Sequence, residues 1–244
     1  MREQKIDKIP ARWDFIQSAT GLILGLFIMG HILFESSILI SKEAMYKVTL
    51  MFEGYYFFGE KYPGIISFLA AAISIIFVLH SVAAIRKMPS KYREYRIMRK
   101  HMASLKHEDT SLWMIQVITG FGMFFLGSVH LYTMMTQPDQ IGPYASSSRI
   151  VDDYAAILYI LLLFSVVSHT FIGLYRLALK WGFMEGKNSK KSRKVFKFLM
   201  KSFILFYLVA GSLSLAKYIE IGTTHDYSKG ERYHPESTQA EPHQ

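Results

Sequence analysis

The stretch GFGMFFLGSVHLYTMM, residues 120–135, decides the fold. It is apolar enough to lie in lipid and contains no acid or base, yet it carries His130. An ionisable ring at membrane depth is costly and is by default a functional residue, so the ring asks for a partner on another helix.

Working outward, five segments are long and apolar enough to cross a bilayer whose hydrocarbon needs about 20 helical residues. They run over Phe15–Ile40, Pro63–Ile85, Ser111–Met135, Tyr154–Leu179 and Val195–Tyr218. Within lipid every backbone N–H and C=O must be satisfied inside the segment, which makes such spans helices. The expected fold is therefore all-α, a polytopic transmembrane bundle of five helices over residues 15–220. A short segment, 1–14, precedes it, and a tail, 221–244, follows. Gly21, Gly25, Gly30, Gly120 and Gly127 recur inside the spans, as expected where helix backbones approach each other or a flat ligand.

Composition narrows the class. Of 244 residues about half are hydrophobic, with 18 Phe and 15 Tyr. There is no cysteine, so disulfides and thiolate metal sites are excluded and any iron–sulfur cluster must belong to another chain. The formal charge of +9 does not indicate nucleic acid, because the basic residues lie between apolar spans rather than on one soluble face. The amino-terminal MREQKIDKIPARWDF mixes acids with bases and leads into a long span without a small-residue cleavage site, which argues against a removable signal peptide.

Charge also orients the spans. The connection RKMPSKYREYRIMRKHMASLKHED, residues 86–109, is strongly basic, as is the region from Lys187 to Lys197. By contrast QPDQIGPYASSSRIVDD, residues 137–153, has only Arg149 against three aspartates. The carboxy-terminal tail is net acidic, and the positive-inside rule then places the amino terminus and both basic loops in the cytoplasm, with the carboxyl terminus outside. Those loops are candidate docking surfaces for a cytoplasmic partner or for anionic lipid.

Nine histidines are present, and His31, His80, His130 and His169 fall one in each of the first four spans. The others, His101, His107, His225, His234 and His243, lie in connections or the tail, where solvated rings need no explanation. His31 lies about 24 Å into the first span at 1.5 Å per residue, near its outer end, and His130 comes late in the outward-running third span. His80 stands six residues before Arg86, about 9 Å from the inner end, and His169 seven before Arg176. Depth thus pairs His31 with His130 and His80 with His169. Two histidines from different helices at one level, among apolar and aromatic residues, suit bis-imidazole ligation of a b-type haem, and two such pairs suit two haems stacked across the membrane. Zinc would want further ligands at the same level. Gly30, Ser81, Gly127 and Ser128 beside the ligands are small enough to admit a porphyrin face.

With those positions in hand, the sequence resembles the di-haem cytochrome b subunit, one chain with five helices, that anchors bacterial menaquinol:fumarate reductases and related succinate dehydrogenases. The resemblance runs from QSATGLILGLFIMGH through GSVHLYTMMTQP to GLYRLALKWG. It implies a proximal haem on His80 and His169 and a distal haem on His31 and His130. It further implies electrons taken from menaquinol near the distal haem and passed to an iron–sulfur subunit and then a flavoprotein on the cytoplasmic side, with a dimer of such heterotrimers as the assembly. Gln17, Ser18, Trp113 and Lys180 match positions that hold the proximal haem's propionates, and Arg149 matches one near the distal haem's. From the residues alone, Trp113 and Lys180 also read as interfacial anchors. Glu53, in MFEGYYFFGEKYPG, falls where the family has the glutamate that accepts a proton or hydrogen bond as menaquinol is oxidised; a solvated loop acid is the plainer alternative.

One position departs from the resemblance. Fumarate reductases of this type carry a glutamate two residues before the fourth-span histidine, whereas this chain reads SVVSHTF, with Val167 there. Glu35, one helical turn beyond His31 and on its face, is a candidate proton acceptor on the outer side, or else a carboxylate solvated at the headgroups. Two other functions compete: the cytochrome b anchor of a hydrogenase or formate dehydrogenase, and a proton-coupled transporter whose histidines relay protons without a chromophore.

Overall fold

The structure is a computed structural model that describes residues 8–105, 108–183, 186, 188–224, 226–228 and 230–234, with the backbone alone for 101–103 and 105. Its helices are α1 (Ile9–Glu35), α2 (Lys42–Phe52), α3 (Tyr55–Phe58), α4 (Gly64–Ile85), α5 (Tyr92–Leu105), α6 (Glu108–Thr136), α7 (Pro143–Val151), α8 (Ala156–Lys180) and α9 (Ser189–Thr224). No strand occurs among the described residues. Among the described residues, five segments are long and apolar enough to cross a membrane: Ile9–Leu39, Gly64–Ile85, Glu108–Thr136, Ala156–Lys180 and Ser189–Thr224. The protein is an all-helical, multi-pass membrane protein.

The first, third and fifth spans are longer than their apolar runs. Pro10 in the first turn of α1 starts that helix at Ile9, because its missing N–H is not needed there. Residues 9–14, expected to precede the bundle, are therefore helical. At the other extreme α9 takes in the basic run before Val195 and continues to Thr224, which at 36 residues makes it about 54 Å long.

The bundle is built around α8, which packs against α6, α9 and α1, while α4 closes the other side against α1 and α6. Val167, Phe171, Tyr175 and Tyr207 form its dry core. Outward faces are apolar instead of polar, with Phe68, Phe125, Phe198 and Leu205 all largely exposed, as a lipid-facing surface requires. α5 is amphipathic and packs extensively on no other element.

The two ends differ. At the basic end, where α4 stops and α9 starts, charged residues meet at the surface: Asp14 pairs with Lys87 and Lys180, and Lys197 with Glu108 and Asp109. The far end is covered by helices that the connections did not advertise. Ser41 caps α2 by accepting from the Ala44 amide at 2.9 Å, and α2 and α7 then pack over the bundle with the end of α9. α3 is held between Gly54 and Gly59, both left-handed at φ +79° and +76°; a Cβ on Gly54 would also stand 2.7 Å from the Phe58 ring.

Candidate functional site

A cavity of about 1180 Å³ runs the height of the bundle, from Lys180 at the basic end to Arg149 at the far end, and all four intramembrane histidines lie on its wall. Its volume exceeds the roughly 300–1,000 Å³ of ordinary small-molecule sites, so it has room for more than one flat ligand. Most of the wall is apolar, with Phe27, Phe77, Phe121 and Phe124 among the rings that keep water out.

The structure brings the histidines together in two pairs. His31 and His130 have ring centres 6.0 Å apart, and His80 and His169 are 6.4 Å apart. An imidazole nitrogen bonds a transition metal at about 2 Å, so two rings on opposite sides of one metal stand roughly 6 Å apart, centre to centre. Both pairs fit that spacing. No group of three or more His, Cys, Asp or Glu residues that could hold a bare metal ion occurs among the described residues, as the chemistry of zinc would require.

Packing fixes the rings near the basic end. His169 Nδ1–H donates to the Gln116 carbonyl at 2.9 Å. The Thr20 hydroxyl donates to the Ile16 carbonyl at 2.6 Å, so His80 Nδ1–H donates to the Thr20 oxygen at 3.1 Å. Each ring is left with Nε2 as its free lone pair, the arrangement by which second partners orient metal-bound histidines. Both rings also lie against glycines on facing helices: a Cβ on Gly21 would stand 2.9 Å from His80 Cε1, and one on Gly120 would stand 3.0 Å from His169 Cε1. Near the far end His31 stacks on Phe27 at 5.5 Å, His130 meets the Tyr159 ring edge-on at 5.7 Å, and His130 Nδ1 is buried without a partner. There a Cβ on Gly30 or Gly127 would find only ordinary contacts, 3.7 and 3.9 Å away, so the cradle beside this pair is open. Gly30, Ser81 and Gly127 line the cavity; Ser128 is turned out, its hydroxyl donating to the Phe124 carbonyl.

The two levels keep one spacing in three helices. Gly21 and His31 in α1, Gly120 and His130 in α6, and Tyr159 and His169 in α8 are each ten residues apart, about 15 Å of helix.

The remaining expected residues divide between the ends. At the basic end Gln17, Ser18, Trp113 and Lys180 all line the cavity. Lys180 Nζ donates to Ser18 Oγ at 2.9 Å and pairs with Asp14 at 3.2 Å, while Gln17 Oε1 is buried with no donor. At the far end Arg149 is almost fully buried, donates to the Gln140 carbonyl at 2.9 Å and reaches Tyr159. Glu35 lines the cavity with His31 and accepts from the Tyr218 hydroxyl at 3.0 Å.

Glu53 is not a solvated loop acid. It is 0% exposed, and Arg232 donates to its Oε1 from Nη2 at 2.7 Å. It is not itself on the cavity wall, although Thr49 and Phe52 of the same helix are. His234, expected to be solvated, packs on the Tyr144 ring at 4.9 Å. His107, His225 and His243 lie outside the described residues, as does the side chain of His101.

Sequence reading missed Thr20, Gln116, Tyr159, Tyr218 and Arg232. A polar residue inside an apolar span, such as Thr20, is a signal that was available, whereas Gln116 acts through its main-chain carbonyl. For Arg232, 179 residues from its partner, none was.

Residues 92–209 match the family described as succinate dehydrogenase/fumarate reductase transmembrane subunit. A fumarate reductase cytochrome b subunit from Helicobacter pylori is 50% identical over 214 residues, covering 88% of this chain and 82% of the relative. The subunit of the same name from Wolinella succinogenes is 46% identical over 220 residues, covering 90% and 86%.

Proposed function

The chain belongs to the succinate dehydrogenase/fumarate reductase transmembrane subunit family, and from that premise we propose that it is the cytochrome b anchor of a fumarate reductase complex, holding two b-type haems and reacting with menaquinol. Membership sets aside a hydrogenase or formate dehydrogenase anchor and a proton-coupled transporter. The observation that carries the haem count is the presence of two imidazole pairs, at 6.0 and 6.4 Å, at two levels of one cavity.

A b-type haem, when bound, supplies a one-electron carrier at each level. His80 and His169 hold one of them near the basic end, which faces the cytoplasm, and His31 and His130 hold the other. The backbone and Thr20 aim the first two rings; apolar walls keep water from both levels. Lys180, Gln17 and Trp113, with Ser18 holding the Lys180 ammonium, would meet propionates at the basic end, and Arg149 would do so at the far end. Glu53 takes a proton as menaquinol is oxidised, and Glu35, joined to Tyr218, is a second acceptor on that side. Dicarboxylate chemistry belongs to an iron–sulfur subunit and a flavoprotein docked on the basic loops, in a complex that dimerises in the bacterial inner membrane.

Val167 favours a second reading of direction. It is fully buried in the apolar core with Val166 and Phe171, which leaves no carboxylate at the place where fumarate reductases of this type carry one. Val167 thus supports succinate oxidation, or fumarate reduction with protons handled only at the outer side, as the second reading; this chain by itself does not set the direction. Rates of menaquinol:fumarate and succinate:menaquinone turnover, measured on one preparation of the intact complex, separate the two. For the haems, a reduced-minus-oxidised spectrum with pyridine haemochrome quantitation should return two per chain; one, or none, overturns the reading.

A further inference from the structure

Residues 226–228 and 230–234 carry no helix or strand, yet hydrogen bonds and ring contacts tie them to the far end. The Tyr144 amide donates to the Arg232 carbonyl at 3.1 Å. Arg232 Nε donates to the Ile141 carbonyl at 2.8 Å, and its guanidinium stands 5.9 Å from the centre of the Tyr46 ring. Tyr233 lies against Tyr46 and Tyr144, at 5.0 and 6.0 Å, and His234 against Tyr144. Glu231 caps the Ser228 amide at 2.9 Å, and that amide and His234 hold its carboxyl below the usual carboxylate range. The fit is close, since a Cβ on Gly142 would stand 2.8 Å from the Arg232 carbonyl oxygen. The segment is a strap.

What the strap delivers is one guanidinium to one carboxylate. Arg232 splits its fork: Nε goes to the Ile141 carbonyl and Nη2 to Glu53 Oε1. Oε2 of Glu53 is buried and has no donor. An isolated carboxylate out of water costs several kcal/mol, so the buried pair is kept only because each member compensates the other. The consequence is directional. Oε1 is held, and Oε2 is the one acceptor atom of this carboxylate with no partner.

We propose that Arg232 is a positioning residue for quinol oxidation: it fixes Glu53 so that Oε2 is presented to the hydroxyl of the bound quinol. The proposal rests on Glu53 being the acceptor. The Arg232 guanidinium faces the Tyr46 ring of α2, whose hydroxyl accepts from Lys61, and Tyr46 in turn meets Tyr233 of the strap, which lies on Tyr144 of α7 with Lys42 over its ring. None of them offers a second guanidinium that could substitute.

The test uses the intact membrane complex, comparing quinol-driven with dye-driven fumarate reduction, since the dye bypasses this subunit. Arg232→Met should lower kcat of the quinol-driven reaction by about tenfold, with KM for quinol within about twofold and haem content and dye-driven activity intact. Arg232→Lys, which keeps the charge but loses the second arm of the fork, should restore part of that rate. Wild-type kcat in Arg232→Met, or a change in KM alone, overturns the proposal. If the Met variant loses haem, the Lys variant decides: an intermediate rate with full haem supports positioning, whereas wild-type rate or loss of haem there too overturns it. Glu53→Gln is run alongside; if it turns over quinol normally, the acceptor reading itself has failed, a result that Arg232 variants alone do not give.

Discussion

At the basic end of the bundle both histidines have a second partner from the protein, and the charged side chains pair where water reaches them. At the far end the order is reversed. His130 Nδ1 has no partner, while Glu53, out of reach of water, pairs with the 16% exposed Arg232 in a covering layer of α2, α7 and the strap. The difference teaches where each end keeps its polar order: one fixes its rings by hydrogen bonds to the Thr20 hydroxyl and the Gln116 carbonyl, the other packs them on Phe27 and Tyr159 and keeps its buried carboxylate under a covering layer.

The strongest way to break this comparison is to find one level dispensable. His169→Ala and His130→Ala should each remove one of two haems, halving the pyridine haemochrome per chain, because no fifth histidine among the described residues lines the cavity. Next in size, Glu53→Gln should lower quinol-driven turnover by about a hundredfold while dye-driven turnover holds, which is the scale of losing one acid–base group. Asp14, the ion-paired carboxylate at the opposite end, should show no such loss. Packing gives a smaller and more local contrast. Gly120→Ala, whose Cβ would press on the His169 ring, should destabilise the folded protein by about 1–3 kcal/mol, and Gly127→Ala by about 0.5 kcal/mol or less, as read by thermal loss of the haem spectrum in detergent. The smallest effect is expected for Asp14→Asn. Its pairs with Lys87 and Lys180 are more than a third exposed, so the same melt should move by no more than about 1 kcal/mol.

Much of the bundle was legible because lipid leaves the chain few options. Five apolar runs had to be helices, and the charges between them fixed which ends lie together. The pairing of His31 with His130 and of His80 with His169 needed only the rise of a helix and the order of the spans. Connections were less readable. α2 buries Met45 and Thr49 and turns Val48 and Phe52 to the cavity, a helical pattern too short to stand out among the polar residues around it. α7 was disguised by three serines in a row, one of which, Ser147, is fully buried and bonded to the Pro143 carbonyl. The strap was beyond reach altogether: its register depends on the space that Gly142 leaves and on a carboxylate far away in sequence, and neither leaves a local pattern. Glu53 shows the cost of that blindness, since a loop position suggested solvent and the covering layer excluded it.

The matched ten-residue intervals in α1, α6 and α8 work as a ruler shared by three helices. Removing a single residue from any one of them, between its two marks, would turn the part beyond the deletion by about 100° and draw it in by about 1.5 Å, so that one mark would stay in place while the other swung away from its counterpart. Evolution of this part of the chain should therefore tolerate exchanges of one apolar side chain for another far more readily than any change in length.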